Sequence, residues 1–179
     1  MDIEDFSKLT FLSETHGPTT IEQMIKLIQG FMDERPNDIY KLVIGTDSHE
    51  KNSNNGTNGK KEKKAKREIS LVTAVVIHRK GFGGRYFWHK QNPKEVHSLR
   101  EKIKEETSAS LMFALSFVPE LRKSLNGHSP LLEIHLDVGN NGETRKMINE
   151  VVGMITGNGF EAKTKPDSYA ASKVADKHT

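Results

Sequence analysis

Cysteine is absent from the 179-residue sequence, which excludes disulfide bonds, zinc–thiolate sites and thiol catalysis. No apolar run is long enough to cross a membrane, and the acidic first five residues, MDIED, do not form a signal peptide. Tryptophan occurs only once, at position 88. These absences lead us to expect a cytoplasmic protein that makes no membrane contact.

The residues that are present indicate a globular fold with a mildly basic surface. Hydrophobic residues make up 34% of the chain and charged residues 28%, a balance typical of soluble folded domains. The net charge of +3 and the pI of about 9.0 permit a polyanionic partner without requiring one. We expect a single domain over residues 1–179, with an N-terminal arm plus helix at 1–36 and a mobile basic loop at 51–67.

The central feature is an apolar, β-branched run at about 39–47 that ends abruptly in Asp47. Such a run predicts a buried strand. Because side chains alternate along a strand, Asp47 would share a face with Val43 and Gly45. A buried carboxylate needs compensation for its lost hydration, such as a bound ion. The alternative is a surface aspartate that caps the next turn.

Two further strands at about 69–77 and 85–89 complete a predicted antiparallel meander. A long helix should follow from about residue 94 to 118, ending near Pro119. At 100° per residue, Glu106 falls on the apolar face of this helix, whereas Glu105 points the opposite way. Because a carboxylate centred on an apolar face needs a partner, Glu106 is a candidate functional residue.

The remaining pattern alternates strand and helix. A strand at 131–137 ends in Asp137, a helix covers 143–156, a short strand covers 160–164, and a last helix covers 168–177. Asp167 stands at the head of the last helix and Asp176 lies within it. Several carboxylates sharing one site require counter-charge, which hard divalent cations such as Mg²⁺ or Mn²⁺ supply through oxygen ligands.

The order of strands and acids resembles the RNase H-like superfamily, and more narrowly the YkuK family of predicted bacterial RNase H-like nucleases. The motifs that carry the resemblance are Gly45–Ser48, Glu106–Thr107, His135–Gly139 and Lys165–Lys177. The resemblance implies an α/β fold with a mixed five-stranded sheet and two-metal hydrolysis of phosphodiester bonds. It implies that Asp47 bridges the metals, with Glu106 and Asp137 as further ligands. Either Asp167 or Asp176 would be the fourth acid, and we favour Asp167.

Other roles remain open from the sequence. The protein would bind DNA, RNA or a hybrid, either as a Mg²⁺- or Mn²⁺-dependent nuclease or as a binding protein that has lost catalysis. An interaction module that does not use its acids is a third possibility. Tyr86 and Trp88 could stack nucleobases, although alternating strand residues more often fill a core. His135 is expected to be a packed, hydrogen-bonded histidine rather than a proton shuttle.

Overall fold

The structure, a computed structural model, describes residues 6–51, 67–139 and 143–179. The predicted mobile loop at 51–67 therefore lies outside the described residues, apart from its two ends, which belong to strands. Among the described residues, none of the helices combines the length and the apolar character needed to cross a bilayer.

Eight strands form one mixed sheet across the described residues. They are β1 (Thr10–Ser13), β2 (Gly17–Thr20), β3 (Tyr40–Lys51), β4 (Arg67–Arg79), β5 (Gly83–Lys90), β6 (Lys94–Val96), β7 (Leu131–His135) and β8 (Glu161–Lys163). Their order is β2-β1-β5-β4-β3-β7-β8, with β6 paired to β4. β3, β4 and β5 are antiparallel, and β7 and β8 extend the sheet in parallel with β3. The predicted RNase H-like arrangement is confirmed in strands β5-β4-β3-β7-β8.

In the described part of the chain, three α-helices and a shorter C-terminal segment pack against this sheet. The helices are α1 (Ile21–Asp33), α2 (Leu99–Ser124) and α3 (Ile148–Thr156), the last preceded by a 3₁₀ turn at Glu143–Met147. A π-helix at Ala170–Ala175 and a 3₁₀ turn at Asp176–His178 follow β8. We call Ala170–His178 the C-terminal segment.

The two faces of the sheet carry different layers. On one face, Leu42 and Ile44 of β3 belong to the main core with the three helices. On the other face, Val43 packs with Ala170 of the C-terminal segment. Because side chains alternate along β3, Asp47 lies on the face of Val43 and Ser48 lies on the face of the helices.

The N-terminal hairpin is the main departure from the predicted fold. β1 and β2 pair antiparallel at positions that we expected to be irregular, and they raise the strand count above five. β1 also pairs with β5, where Leu12 lies opposite Trp88. Each strand has four residues, which is too short to give a visible alternation in the sequence. The following helix α1 begins with a capping box between Thr20 and Gln23.

The long helix α2 has different ends from those predicted. Residues 94–96 form β6, and the helix starts only after Ser98, whose side chain accepts a hydrogen bond from the Glu101 amide. The helix continues through Pro119 to Ser124, because Leu121 beyond the proline is buried in the core. The proline stands on an exposed surface of the helix, so the packed face is not interrupted.

The helices predicted at 143–156 and 168–177 are less regular than expected. The first begins as a 3₁₀ turn and becomes α-helical only at Ile148. The second is the π-helix and 3₁₀ turn of the C-terminal segment, which contains several small residues. Small side chains allow close approach to the sheet but give little apolar periodicity from which to assign the helix type.

Candidate active site

The candidate site lies where two neighbouring strands of the sheet differ in length. β3 and β7 pair in parallel only as far as Gly45 and His135. β3 continues to Lys51 along β4, so the edge of β3 that faced β7 has no ladder partner beyond this point among the described residues. Asp47 lies two residues after Gly45, and Asp137 lies two residues after His135. The fold therefore brings both aspartates to one gap in the sheet.

Glu106 approaches this gap from helix α2 on the opposite face. Its side chain is buried at 7% exposure and accepts a 2.6 Å hydrogen bond from Ser48 Oγ to its Oε1. Burial raises the pKa of Glu106 to about 7, and the charges of Asp47 and Asp137 raise it as well. The hydrogen bond from Ser48 and the charge of Lys102 act in the opposite direction. The predicted burial of Glu106 is confirmed.

Asp47 is partly buried at the centre of the group. Burial raises its pKa to about 6, and the charges of Asp137 and Asp176 contribute in the same direction. The backbone amide of Ser48 donates a hydrogen bond to the carboxylate and lowers the pKa. The fold thus places Asp47 close enough to Glu106, Asp137 and Asp176 for its charge to repel theirs.

Two lysines provide positive charge beside these acids. Lys102, one turn before Glu106 on α2, places its Nζ 3.8 Å from Glu106 Oε1 and 4.0 Å from Glu50 Oε1. Lys165 Nζ lies 2.9 Å from Asp137 Oδ1. The angles do not make the latter contact a hydrogen bond, and within the described residues this buried oxygen receives none. The sequence pattern did not single out Lys102, although its i,i+4 spacing to Glu106 predicts such a contact.

The two candidates for the fourth acid lie in different surroundings. The charge of Asp176 raises the pKa of Asp47, as described above. Asp167 acts instead on Lys163, whose pKa is raised mainly by its hydrogen bond to Glu161 and also by the charge of Asp167. Of the two candidates, Asp176 is therefore the one whose charge acts on Asp47.

His135 belongs to a separate, fully bonded group on the same face as Asp47. Its Nδ1 accepts a 3.2 Å hydrogen bond from the Ala170 amide, so its Nε2 carries the proton and donates to Glu133 Oε2 at 3.0 Å. Lys41 Nζ lies 2.7 Å from the other oxygen of Glu133. Burial lowers the pKa of His135, which keeps the ring neutral. The expectation of a packed, hydrogen-bonded histidine is confirmed, and this histidine fixes the start of the C-terminal segment.

The acids are near one another without being arranged around a cation. Within residues 6–51, 67–139 and 143–179, no three side chains from histidine, aspartate or glutamate are grouped so as to hold a metal ion. The two lysines stand beside the acids and supply part of the missing positive charge.

Comparison with known proteins assigns the family. The chain matches the family described as Ribonuclease H-like over residues 23–179, and it therefore belongs to the RNase H-like family. It is also 31% identical, over 182 aligned positions, to the uncharacterized protein YkuK of Bacillus subtilis. That alignment covers 94% of this chain and 96% of the relative. No solved structure gives a significant match.

Proposed function

We propose that this protein is a divalent-metal-dependent nuclease that hydrolyses phosphodiester bonds in nucleic acid. Membership of the RNase H-like family supports a nuclease-like or nucleic-acid-binding function in general. The observation that supports the finer assignment is the crowding of carboxylates at the gap beside β3. Burial and mutual repulsion raise the pKa of Asp47 to about 6 and that of Glu106 to about 7. Strongly perturbed acids in one cluster are typical of functional sites.

The donor set fits Mg²⁺ or Mn²⁺ in its chemistry. Its members offer only carboxylate oxygens, the ligands that these hard cations prefer. Asp137 Oδ1 is buried and makes an ion pair but no hydrogen bond with Lys165, so a cation could take the place of the ammonium group at this oxygen. Asp47, Glu106 and Asp137 would hold the cations, and Asp176 or Asp167 would complete the set. For these acids to bind cations, the ammonium groups of Lys102 and Lys165 would have to move away from Glu106 and Asp137.

The chain itself would position the substrate and control protons. When bound, divalent cations supply Lewis-acid stabilisation of the charge that develops at the phosphoryl group. Ser48 holds the Glu106 carboxylate in one orientation through its 2.6 Å hydrogen bond. A displaced Lys165, half exposed at the mouth of the site, can contact a backbone phosphate. Because the pKa of Glu106 is near 7 without metal, a cation that binds this carboxylate at neutral pH would displace a proton from it.

The decisive experiment compares the native protein with Asp47→Asn under titration with Mg²⁺ and Mn²⁺. Single-stranded DNA, RNA and a DNA–RNA hybrid serve as substrates, and calorimetry measures metal binding separately. A metal ion contributes several kcal/mol to such a reaction, so we expect Asp47→Asn to lose at least about 100-fold in rate. Glu120→Gln is the matched control, because Glu120 is exposed on α2 and pairs only with Lys123 among the described residues. Equal cleavage by the native protein and Asp47→Asn would refute the proposal.

A nucleic-acid-binding protein without catalysis is the second candidate. The positions of the side chains favour it, because no three histidine, aspartate or glutamate side chains of the described residues are grouped to hold a metal ion, and Lys102 and Lys165 lie beside Glu106 and Asp137. This alternative predicts nucleic-acid binding that is independent of divalent cations and unchanged by Asp47→Asn. The same titration therefore separates the two functions.

A further inference from the structure

The single tryptophan of the chain forms a parallel ring stack at the edge of the candidate site. The ring centroids of Trp88 on β5 and His178 in the C-terminal segment are 3.7 Å apart, and the ring planes differ by 6°. Tyr86 lies 5.7 Å from both rings in tilted orientations. Phe87, between the two aromatic residues, is buried in the opposite core. The strand thus directs Tyr86 and Trp88 to the face that carries Asp47.

The stack lies within reach of the acids. Across the sheet, Asp47 pairs with Val72 of β4, and Trp88 pairs with Ala74 two residues further along β4. Two strand spacings and two residues correspond to roughly 12 Å between the backbone positions of Asp47 and Trp88. The C-terminal segment crosses this distance, because Ala175 packs with Val72, Ala74 and Trp88. One short segment therefore carries Asp176 beside Asp47 and His178 over Trp88.

Stacking is the main visible interaction of the His178 ring. Its Nε2 is buried and has no hydrogen-bond partner among the described residues. A buried polar atom without a partner is unfavourable, so the free energy that holds this ring in place is small. Beside it, Lys177 Nζ contacts the Tyr86 hydroxyl at 3.2 Å and Glu14 at 2.6 Å, on the exposed side of the stack. This surface therefore combines the flat face of Trp88, the weakly held ring of His178 and the positive charge of Lys177.

We propose that the face of Trp88 is a stacking site for one unpaired nucleobase, and that His178 occupies this site in the free protein. Flat heterocycles stack on tryptophan regardless of base identity, so the site would select single-stranded nucleic acid without reading sequence. The base displaces the imidazole ring, and Lys177 then faces the backbone phosphates. The inference rests on the proposed function, since it defines where the strand entering the acid site is held.

The test uses the fluorescence of Trp88, which reports on this stack alone because the chain has no other tryptophan. A thymidine oligonucleotide of 20 residues is titrated in EDTA, with binding followed independently by the anisotropy of a dye on the oligonucleotide. We expect quenching of Trp88 that follows the binding curve. Trp88→Leu should weaken binding by about 5- to 100-fold, and Trp88→Phe by less, because stacking on an aromatic ring contributes this much per base.

His178→Ala gives the sharper result, because it removes the competitor without altering the tryptophan. We expect it to change the emission of the free protein and to tighten oligonucleotide binding by about 2- to 10-fold, since the open site no longer has to be vacated. His97→Ala, at an exposed loop position, is the matched control and should leave both signals unchanged.

Three outcomes would overturn the inference. They are binding without a change in Trp88 emission, a His178→Ala affinity equal to that of His97→Ala, and no binding of the oligonucleotide at all. Cleavage with Mg²⁺ and its loss in Asp47→Asn are measured separately. Cleavage without Trp88 quenching would leave the nuclease standing and remove the stacking site, and quenching without cleavage would do the reverse.

Discussion

The carboxylate groups around Glu133 and around Asp47, which lie beside adjacent strands of the sheet, have pKa values shifted in opposite directions. Burial raises the pKa of Glu133 on β7, but hydrogen bonds from Lys41 and His135 outweigh burial, and the pKa falls below its ordinary value. At Asp47 and Glu106, burial is joined by the repulsion of neighbouring acids, and the pKa values rise to about 6 and about 7. Burial raises the pKa in both groups, so the direction of the net shift depends on whether the neighbouring residues are hydrogen-bond donors or other acids.

This difference separates structure from function within one fold. The Glu133 group uses both carboxylate oxygens and both imidazole nitrogens, so it is complete as it stands. A satisfied polar network of this kind holds the segment that it bonds, here the start of the C-terminal segment. The Asp47 group is electrostatically incomplete, which costs stability and is expected where a cation or substrate must be accommodated.

The largest expected effect comes from breaking the complete group with Glu133→Gln. An amide offers one acceptor to two donors, so its NH₂ group would face either Lys41 or the proton on His135. Removing one partner of a buried pair costs about 3 kcal/mol, at the low end of the usual range because Lys41 is one-third exposed. Urea denaturation measures the loss.

Glu161→Gln is the matched control for this prediction. Glu161 is the register partner of Glu133 on β8 and pairs with Lys163 at 2.6 Å, but its side chain is 57% exposed. An exposed ion pair contributes less than about 1 kcal/mol. If both substitutions had the same small effect, the Glu133 group would not be a structural anchor.

The second prediction is that Mg²⁺ stabilises the folded protein by binding to the acids around Asp47. A ligand that binds only the folded state raises the free energy of unfolding, by about 2.7 kcal/mol at 100 times its dissociation constant. Thermal unfolding should therefore shift upward with Mg²⁺ in the native protein and much less in Asp47→Asn. NaCl at equal ionic strength controls for screening, and an equal shift with NaCl would argue against a cation site.

The third prediction concerns Glu106→Gln, which removes one of the repelling charges instead of balancing it with a cation. Because the pKa of Glu106 is raised from 4.5 to about 7, its contribution to stability is fully present below pH 4.5 and is lost as the pH rises through 7. Glu106→Gln removes this dependence and keeps an acceptor for Ser48. We expect the variant to gain about 1 to 3 kcal/mol over the native protein at pH 8 without metal, the upper figure being the full conversion of the rise from 4.5 to about 7, and no gain at pH 4. A gain that is equal at both pH values would contradict the electrostatic explanation.

Much of this arrangement could be predicted from the sequence, because it depends on local periodicity. Alternation along β3 placed Asp47 on the face of Val43, and the helical period placed Glu106 on the buried side of α2. Both positions hold in the structure. Strand and turn signals also predicted the antiparallel meander of the first three central strands, whereas the five-stranded sheet as a whole was implied by the resemblance to the RNase H-like superfamily.

The parts that failed depend on contacts between distant residues or on short elements. The N-terminal hairpin has four-residue strands and depends on pairing with β5, which no local pattern reveals. The contact between Lys165 and Asp137 joins residues 28 positions apart and leaves no periodic signal. The C-terminal segment begins as a π-helix, and its small residues give no periodicity from which its position on the sheet could be predicted.

The smallest expected effect decides which acid belongs to the incomplete group. Asp167 and Asp176 are both exposed, so replacing either with asparagine should change the stability of the metal-free protein by less than about 0.5 kcal/mol. Of these two acids, Asp176 is the one whose charge raises the pKa of Asp47. We therefore expect Asp176→Asn to reduce the Mg²⁺-dependent shift in unfolding temperature, and Asp167→Asn to preserve it. The reverse result would restore Asp167 as the fourth acid and would mean that Asp176 only adds to the repulsion around Asp47.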